Sequence, residues 1–188
     1  NGRQSIWGGS TDWGFRASYG HRTGNDYESG NGSDIPASYN SRDLDITLGL
    51  DLTEDSHIEF SYLRLDQTDV EFAAQPFDMD FLVTDAFDVK YTLENQCYFD
   101  RLFFETWFNR TRFEGNAQHP SKRGQIPELE CNPAAEPIPG CVYRPARPGG
   151  QIDYIGFTDA DASSAGFLLA LSWGDSDCGQ LTLGVDLR

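Results

Sequence analysis

The sequence is poor in basic residues and has no long apolar run. Lys and Arg number 14 against 30 Asp and Glu, so the net charge is −16. This balance argues against a nucleic-acid partner, because affinity for a phosphate backbone comes from Lys and Arg. No apolar run approaches the roughly 18 residues of a membrane-spanning helix. No N-terminal segment has the basic start and apolar core of a secretory signal.

The motifs of common enzymes and metal sites are also absent. There is no Gly-x-Ser-x-Gly, no Gly-rich phosphate loop and no His-Glu-x-x-His, and the histidines lie in different segments. No Cys-x-x-Cys or His-x-x-x-His spacing occurs. The sequence therefore predicts a protein that is not an enzyme and that holds no metal or other cofactor.

Residues 39–65 alternate between apolar and polar side chains with the period of a β-strand. In the first arm the apolar positions are Leu44, Ile46, Leu48, Leu50 and Leu52. Acidic and small residues fill the positions between them, so the strand has one apolar and one acidic face. Residues 53–56 are enough only for an antiparallel hairpin turn. The second arm continues the apolar face with Ile58, Phe60 and Tyr62.

The same alternation predicts an all-β fold, an antiparallel up-and-down meander of about eight strands. The predicted strands are 5–8, 13–22, 39–52, 57–65, 81–93, 101–113, 166–173 and 181–187. The connections are alternately short (9–12, 53–56, 94–100, 174–179) and long (23–38, 68–78, 114–164). A meander with all its long loops at one end is typical of an outer-membrane barrel.

Two details qualify the alternation, and aromatic placement supports the membrane interpretation. Trp13, Trp173 and Tyr91 lie near short turns, as interfacial aromatics do. Leu63 and Leu65 have the opposite parity from Tyr62, which predicts either a bulge or two leucines on the polar face. Asp85 falls on the apolar parity, so we expect it to lie above the membrane or beside a bulge.

Three stretches resemble the early barrel strands of bacterial TonB-dependent outer-membrane receptors. They are Trp-Gly-Phe-Arg-Ala-Ser-Tyr-Gly (13–20), Asp-Leu-Asp-Ile-Thr-Leu-Gly-Leu (43–50) and Ser-Tyr-Leu-Arg-Leu-Asp-Gln-Thr-Asp-Val-Glu-Phe (61–72). The resemblance implies active transport, energised through TonB, of an iron–siderophore, another metal chelate, a cobalamin or an oligosaccharide. It also implies an outer-membrane location among membrane lipid and lipopolysaccharide. Without a plug domain or TonB box, we expect residues 1–188 to be part of the barrel.

Strand parity and loop position, interpreted as parts of a barrel, give two groups of candidate residues. The residues expected to line the lumen share the polar parity: Arg16, Asp43, Asp45, Asp51, Asp88, Lys90, Glu105 and Asn109. Those expected to contact a small-molecule or metal-chelate ligand lie in the predicted outer loop 114–164: Tyr143, Arg144, Arg147, Tyr154, Asp159 and Asp161.

The four cysteines suit an oxidising compartment. Cys131 and Cys141 bracket a short Pro-rich segment, and we predict a disulfide between them. Cys97 and Cys178 lie in the turns of consecutive hairpins on one rim, where a second bridge is expected if their Cα atoms come within about 7 Å.

Two other interpretations of the pattern stay open from sequence. One is a complete eight-stranded barrel, although its narrow interior would need filling and the polar parity carries small residues such as Gly14 and Ser18. The other is a soluble carbohydrate-binding β-sandwich, in which the apolar faces of two sheets pack together.

Overall fold

The computed structural model describes residues 1–73, 75, 77–117, 128–132, 140–144, 157–175 and 179–188, with the backbone alone for 128–132 and 140–144. The strands are β1 Gly2–Gly9, β2 Trp13–Gly24, β3 Tyr27–Glu28, β4 Asp34–Ile35, β5 Tyr39–Thr53, β6 Ser56–Val70, β7 Asp78–Gln96, β8 Phe99–Asn116, β9 Glu128–Asn132, β10 Gly140–Arg144, β11 Phe157–Asp175 and β12 Gly179–Leu187. Among the described residues, no helix is long and apolar enough to cross a membrane.

Eight of the strands form one antiparallel sheet in the order β1-β2-β5-β6-β7-β8-β11-β12. Neighbours in the sheet are neighbours along the chain, apart from the hairpins β3–β4 and β9–β10, which lie within long connections. The predicted meander is therefore confirmed. Strands β1 and β12 are its two edges and do not pair with each other, so the complete eight-stranded barrel is not formed.

The structure shortens the predicted outer loop 114–164 at both ends. Strand β8 continues to Asn116, and β11 begins at Phe157 as its direct partner. The sequence misses this pairing because residues 158–165 read Thr-Asp-Ala-Asp-Ala-Ser-Ser-Ala, which lack large apolar side chains. Backbone hydrogen bonds to β8 hold this half of β11 in the sheet regardless of its side chains.

The contact between Gly166 and Trp107 fixes how β11 lies against β8. The two residues are register partners, and a methyl group added at Gly166 would overlap the Trp107 ring. The hydroxyl of Thr106 also donates to the carbonyl oxygen of Gly166, at 3.0 Å. An aromatic ring covering a strand glycine is a recognised way of pinning register.

Within the part of the chain that the structure describes, no second layer covers the apolar face of the sheet. On β12, Leu181 and Leu183 are 57% and 59% exposed. Among the described residues, the only buried hydrophobic side chains are Met79 and Ala117. A sandwich would bury this face against another sheet, so the sandwich interpretation is wrong for this fold.

The register settles the two irregularities of the sequence pattern. It is continuous through Leu63 and Leu65, which pair with Asp45 and Asp43, so both leucines lie on the polar face and no bulge intervenes. Register shifts occur between Asp51 and Thr53 and between Met79 and Phe81 instead. The pairing is also regular at Asp85, so a bulge beside it is excluded.

Candidate functional site

The apolar residues form a band that crosses the strands obliquely. The register joins Trp13 on β2, through one residue on each intervening strand, to Leu169 on β11. The last aromatic of β11 before its short turn is Trp173, four residues beyond Leu169. The border of the band that faces the short turns, here called the turn border, therefore shifts by four residues over the five steps from β2 to β11.

The opposite border, which faces the long connections and is called the loop border, shifts by the same amount. Tyr19 is the outermost aromatic of the band on β2, and its register row ends at Ser163 on β11. On β11 the continuous band ends at Phe167, again four residues closer to the turn, and Phe157 lies ten residues further out. Four residues are about 13 Å along a strand and five strand spacings about 24 Å, so the strands are tilted by about 30° to the normal of the band.

The height of the band follows from the same geometry. It runs from Trp13 to Tyr19 on β2 and from Leu44 to Leu52 on β5. At the tilt derived above, these lengths correspond to about 17 and 23 Å. The apolar zone of outer-membrane barrels is about 25 Å tall.

Arginines lie just outside the loop border, on the apolar face. Arg42, Arg64 and Arg110 are the first residues beyond the band on β5, β6 and β8, and Arg112 is the second on β8. These four arginines are called the arginine belt. By contrast, the short turns at the other border carry acidic side chains such as Asp12 and Asp100.

Asp85 links two arginines of the belt, and these arginines neutralise its charge. Its Oδ1 accepts hydrogen bonds from Nη1 of Arg64 at 2.9 Å and from the hydroxyl of Tyr62 at 2.8 Å. Its Oδ2 lies 3.4 Å from Nη2 of Arg112. The Tyr62 ring packs against Phe87, with ring centroids 4.7 Å apart. This carboxylate is thus held at the loop border by two guanidinium groups and a phenol.

Asp66 and Asp161 complete the ion pairs of the belt. Asp66 lies 3.8 Å from Arg42 and 3.7 Å from Arg64. Asp161 accepts from Nε of Arg110 at 2.8 Å. Asp161 lies beyond the band, and the hydrogen bond from Arg110 lowers the pKa of its carboxyl below the usual value.

The eight residues predicted to line the lumen all lie on the polar face of the sheet. The register gives the same parity to Arg16, Asp43, Asp45, Asp51, Asp88, Lys90, Glu105 and Asn109. Their position on one face agrees with the sequence, while their role in a lumen stays a prediction.

Opposite charges lie close together on this polar face. Nζ of Lys90 lies 3.2 Å from Asp88 and 3.8 Å from both Glu59 and Glu105, so one cation faces three carboxylates. Nearer the loop border, Asp43 lies 3.4 Å from Arg3 and 3.6 Å from Arg22. The charges of this face are thus arranged in ion pairs.

A shallow depression lies on the polar face near the turn border. Its lining includes Trp7, Arg16, Asp51, His57 and Glu59. Nδ1 of His57 lies 2.6 Å from Oδ1 of Asp51. Within the described part of the chain, no group of three or more His, Cys, Asp or Glu side chains is placed to hold a metal ion.

The predicted outer-loop residues do not form one described cluster. Tyr143 and Arg144 lie on β10, where the backbone alone is described, and Arg147 and Tyr154 lie outside the described residues. Asp159 and Asp161 lie on β11 and not in a loop, because β11 pairs with β8 from Phe157 onwards.

The cysteines give two different outcomes. Cys131 and Cys141 are direct register partners on β9 and β10, but their side chains lie outside the described residues, so the disulfide stays a prediction. Cys97 is an exposed free cysteine, which disagrees with the predicted bridge to Cys178, a residue outside the described part of the chain.

The contact between those two hairpins instead runs through the neighbours of Cys97. The indole Nε1 of Trp173 donates to the carbonyl oxygen of Tyr98 at 2.6 Å. The amide of Gly174 donates to a carboxylate oxygen of Asp100, also at 2.6 Å. These bonds hold the rim without a disulfide at Cys97.

The sequence analysis did not select the arginine belt. The available signal was that Arg42, Arg64, Arg110 and Arg112 have the apolar parity, each at the long-connection end of its strand. Their mutual proximity depends on cross-strand register, which a single sequence does not specify.

The fold resembles a solved structure, that of the copper transporter OprC. The match has a TM-score of 0.69 and 19% sequence identity, and it covers 98% of this chain and 25% of that chain. At this identity the likeness is one of fold. The chain thus spans about a quarter of the length of OprC. No protein-family model matches the sequence, and no curated protein sequence matches it.

Proposed function

We propose that this chain forms part of the wall of an outer-membrane β-barrel, in a receptor that actively transports a scarce ligand with energy supplied through TonB. The observation that carries the proposal is the oblique apolar band. The strand tilt of about 30° is close to the 35–45° of such barrels, and the height of the band is close to the height of their apolar zone, about 25 Å.

The environment of the apolar face supports a lipid setting. Large apolar side chains are exposed along whole strands, among them Ile46, Leu48, Phe60 and Phe87. Contiguous apolar surface of this kind is rare on soluble monomers and marks contact with a membrane or a partner. Trp13 and Trp173 at the turn border fit an interfacial aromatic girdle.

The open edges of the sheet support membership of a larger barrel. Unpaired backbone groups on β1 and β12 would each be costly in hydrocarbon, where only closed sheets satisfy every N–H and C=O. Further strands must therefore join both edges in a membrane. The coverage of OprC, one quarter of that chain, fits a segment of a wide barrel.

The transport role and the ligand class are the finer part of the proposal. The copper transporter OprC supports transport by analogy of fold. The paired charges of the polar face fit a hydrated lumen. The candidate ligands are an iron–siderophore, another metal chelate including one of copper, a cobalamin or an oligosaccharide. TonB and a plug domain are the partners that the proposal requires.

Fluorescence quenching by brominated lipid tests the membrane orientation. Four variants would each keep one tryptophan and carry Phe at the other three positions. Trp13 and Trp173 lie on the apolar face, whereas Trp7 and Trp107 lie on the polar face and serve as matched controls. We expect quenching of the first two and little quenching of the second two. Equal quenching of all four would contradict the proposed orientation.

An uptake assay tests the transport part separately. Cells carrying the protein would be given labelled copper, an iron–siderophore, cobalamin and an oligosaccharide, with TonB present and deleted. We expect uptake of one ligand class that disappears without TonB. Uptake independent of TonB, with the quenching pattern intact, would leave the barrel assignment standing and refute energisation through TonB.

A further inference from the structure

We propose that the arginine belt binds the phosphate groups of lipopolysaccharide, with Arg64 and Arg112 as its central pair. The inference rests on the proposed function, because it requires the apolar band to lie in the membrane with its loop border in the outer leaflet.

The position of the belt is the first argument. Each arginine is the first or second residue beyond the band on its strand, on the side that meets lipid. Phosphate groups of a membrane lipid lie at this level, immediately outside the hydrocarbon. Arginine is well suited to them because its planar guanidinium presents several fixed donors to phosphate oxygens.

The charge of the belt is the second argument. Among the two outward apolar-face positions on each strand from β5 to β11, the four arginines face two carboxylates, those of Asp66 and Asp85, and Glu114 and Asp161 lie one position further out on β8 and β11. The belt is therefore positive on a chain whose net charge is −16. Such segregation favours an anionic headgroup at the loop border, while the acidic turns favour none at the opposite border.

The preorganisation of the central pair is the third argument. Asp85 lies between Arg64 and Arg112 and contacts both, so one negative charge holds two positive ones. A guanidinium has five N–H donors, and these contacts occupy few of them. The side chains of Arg64 and Arg112 are 37% and 41% exposed, so donors of both guanidinium groups are accessible from the lipid side, while Nε of Arg112 is buried. The phenol of Tyr62 fixes Asp85 from within the band.

Binding of purified lipid A to the full protein in detergent, with EDTA present, tests the inference. The probes are bisphosphorylated lipid A and the same glycolipid without phosphate. For the variant R64Q/R112Q we expect the Kd for the bisphosphorylated form to rise about tenfold or more, since each lost charge-assisted bond weakens binding. The variant R64K/R112K, which keeps the charges, should retain most of the affinity.

The matched control is R3Q/R101Q, which removes two exposed arginines of the polar face. It should bind lipid A as the unchanged protein does. Equal affinities of R64Q/R112Q and the control would overturn the inference, as would equal binding of the two glycolipids by the unchanged protein. If R64Q/R112Q does not fold, the exposed variant R110Q must show a smaller loss in the same direction, and no loss overturns the inference.

Failure of the proposed function gives a different result. A protein that stays monodisperse without detergent would refute the barrel assignment itself. A protein that requires detergent but binds phosphorylated and dephosphorylated lipid equally refutes the belt assignment alone.

Discussion

A charge placed at the middle of the apolar band gives the sharpest test of its surroundings. Leu48 lies midway between Leu44 and Leu52 on β5, four residues from each. Four residues at the derived tilt are about 11 Å of depth. Leu48→Arg therefore places a guanidinium near the centre of the bilayer, where it costs about 2–4 kcal/mol. By the tenfold change per about 1.4 kcal/mol, the folding equilibrium constant falls by roughly 30-fold to 700-fold.

Depth and face provide the two controls for this substitution. Leu52→Arg at the turn border should cost only about 0–1 kcal/mol. Thr47→Arg places the same charge on the polar face and should be close to neutral there. The three free energies of unfolding would be measured by guanidinium titration in lipid vesicles, followed by tryptophan fluorescence.

An aqueous surface would give another ranking. Leu48 and Leu52 are 37% and 57% exposed, and surface substitutions in water usually change stability by within about 0.5 kcal/mol. Equal, small effects of Leu48→Arg and Leu52→Arg would therefore refute lipid contact. A greater loss of unfolding free energy for Thr47→Arg than for Leu48→Arg would show that the polar face, and not the apolar face, meets lipid.

Two further predictions concern the ion pairs. Lys90→Gln removes the cation shared by Asp88, Glu59 and Glu105, and we expect a lower denaturation midpoint than that of the parent at low salt. This difference in midpoint should shrink at high salt, because screening weakens the repulsion between the carboxylates. A difference that does not depend on salt would contradict this. The pKa of Asp161 is lowered by Arg110, so the ion pair contributes stability above the ordinary aspartate range and loses it as pH falls through the depressed pKa, below about pH 4. The stability difference between the parent and Asp161→Asn should therefore vanish in acid, and a difference that persists at pH 2 would contradict the linkage.

Much of the architecture was predictable because it depends on local period. Alternation such as Leu44 to Leu52 specifies a strand and its two faces, and the short connections specify antiparallel neighbours. This is why the strand order and the shared face of residues such as Asp43 and Lys90 could be predicted. Whether that face lines a lumen depends on the other strands of a barrel, and the local alternation of side chains carries no information about them.

What could not be predicted depends on pairing between distant residues. The first half of β11 has no apolar period, so its strand is specified by β8 and not by its own side chains. Asp85 looked anomalous because its partners Arg64 and Arg112 lie 21 and 27 positions away in the chain. The tilt of the apolar band likewise becomes visible only when the register aligns Trp13 with Leu169.

The stacking of Trp107 on Gly166 has a consequence for how β11 finds its place. Outward of Gly166 the strand offers Ala, Ser and Asp, side chains that would fit β8 almost equally well after a slide of two positions. Such a slide would keep every residue on its own face of the sheet, but it would put Glu105 or Asn109 opposite Gly166 in place of Trp107. The contact of Gly166 with the Trp107 indole thus fixes a register that the small residues of β11 leave ambiguous. It does so where the half of β11 with small and polar side chains meets the half with large apolar ones.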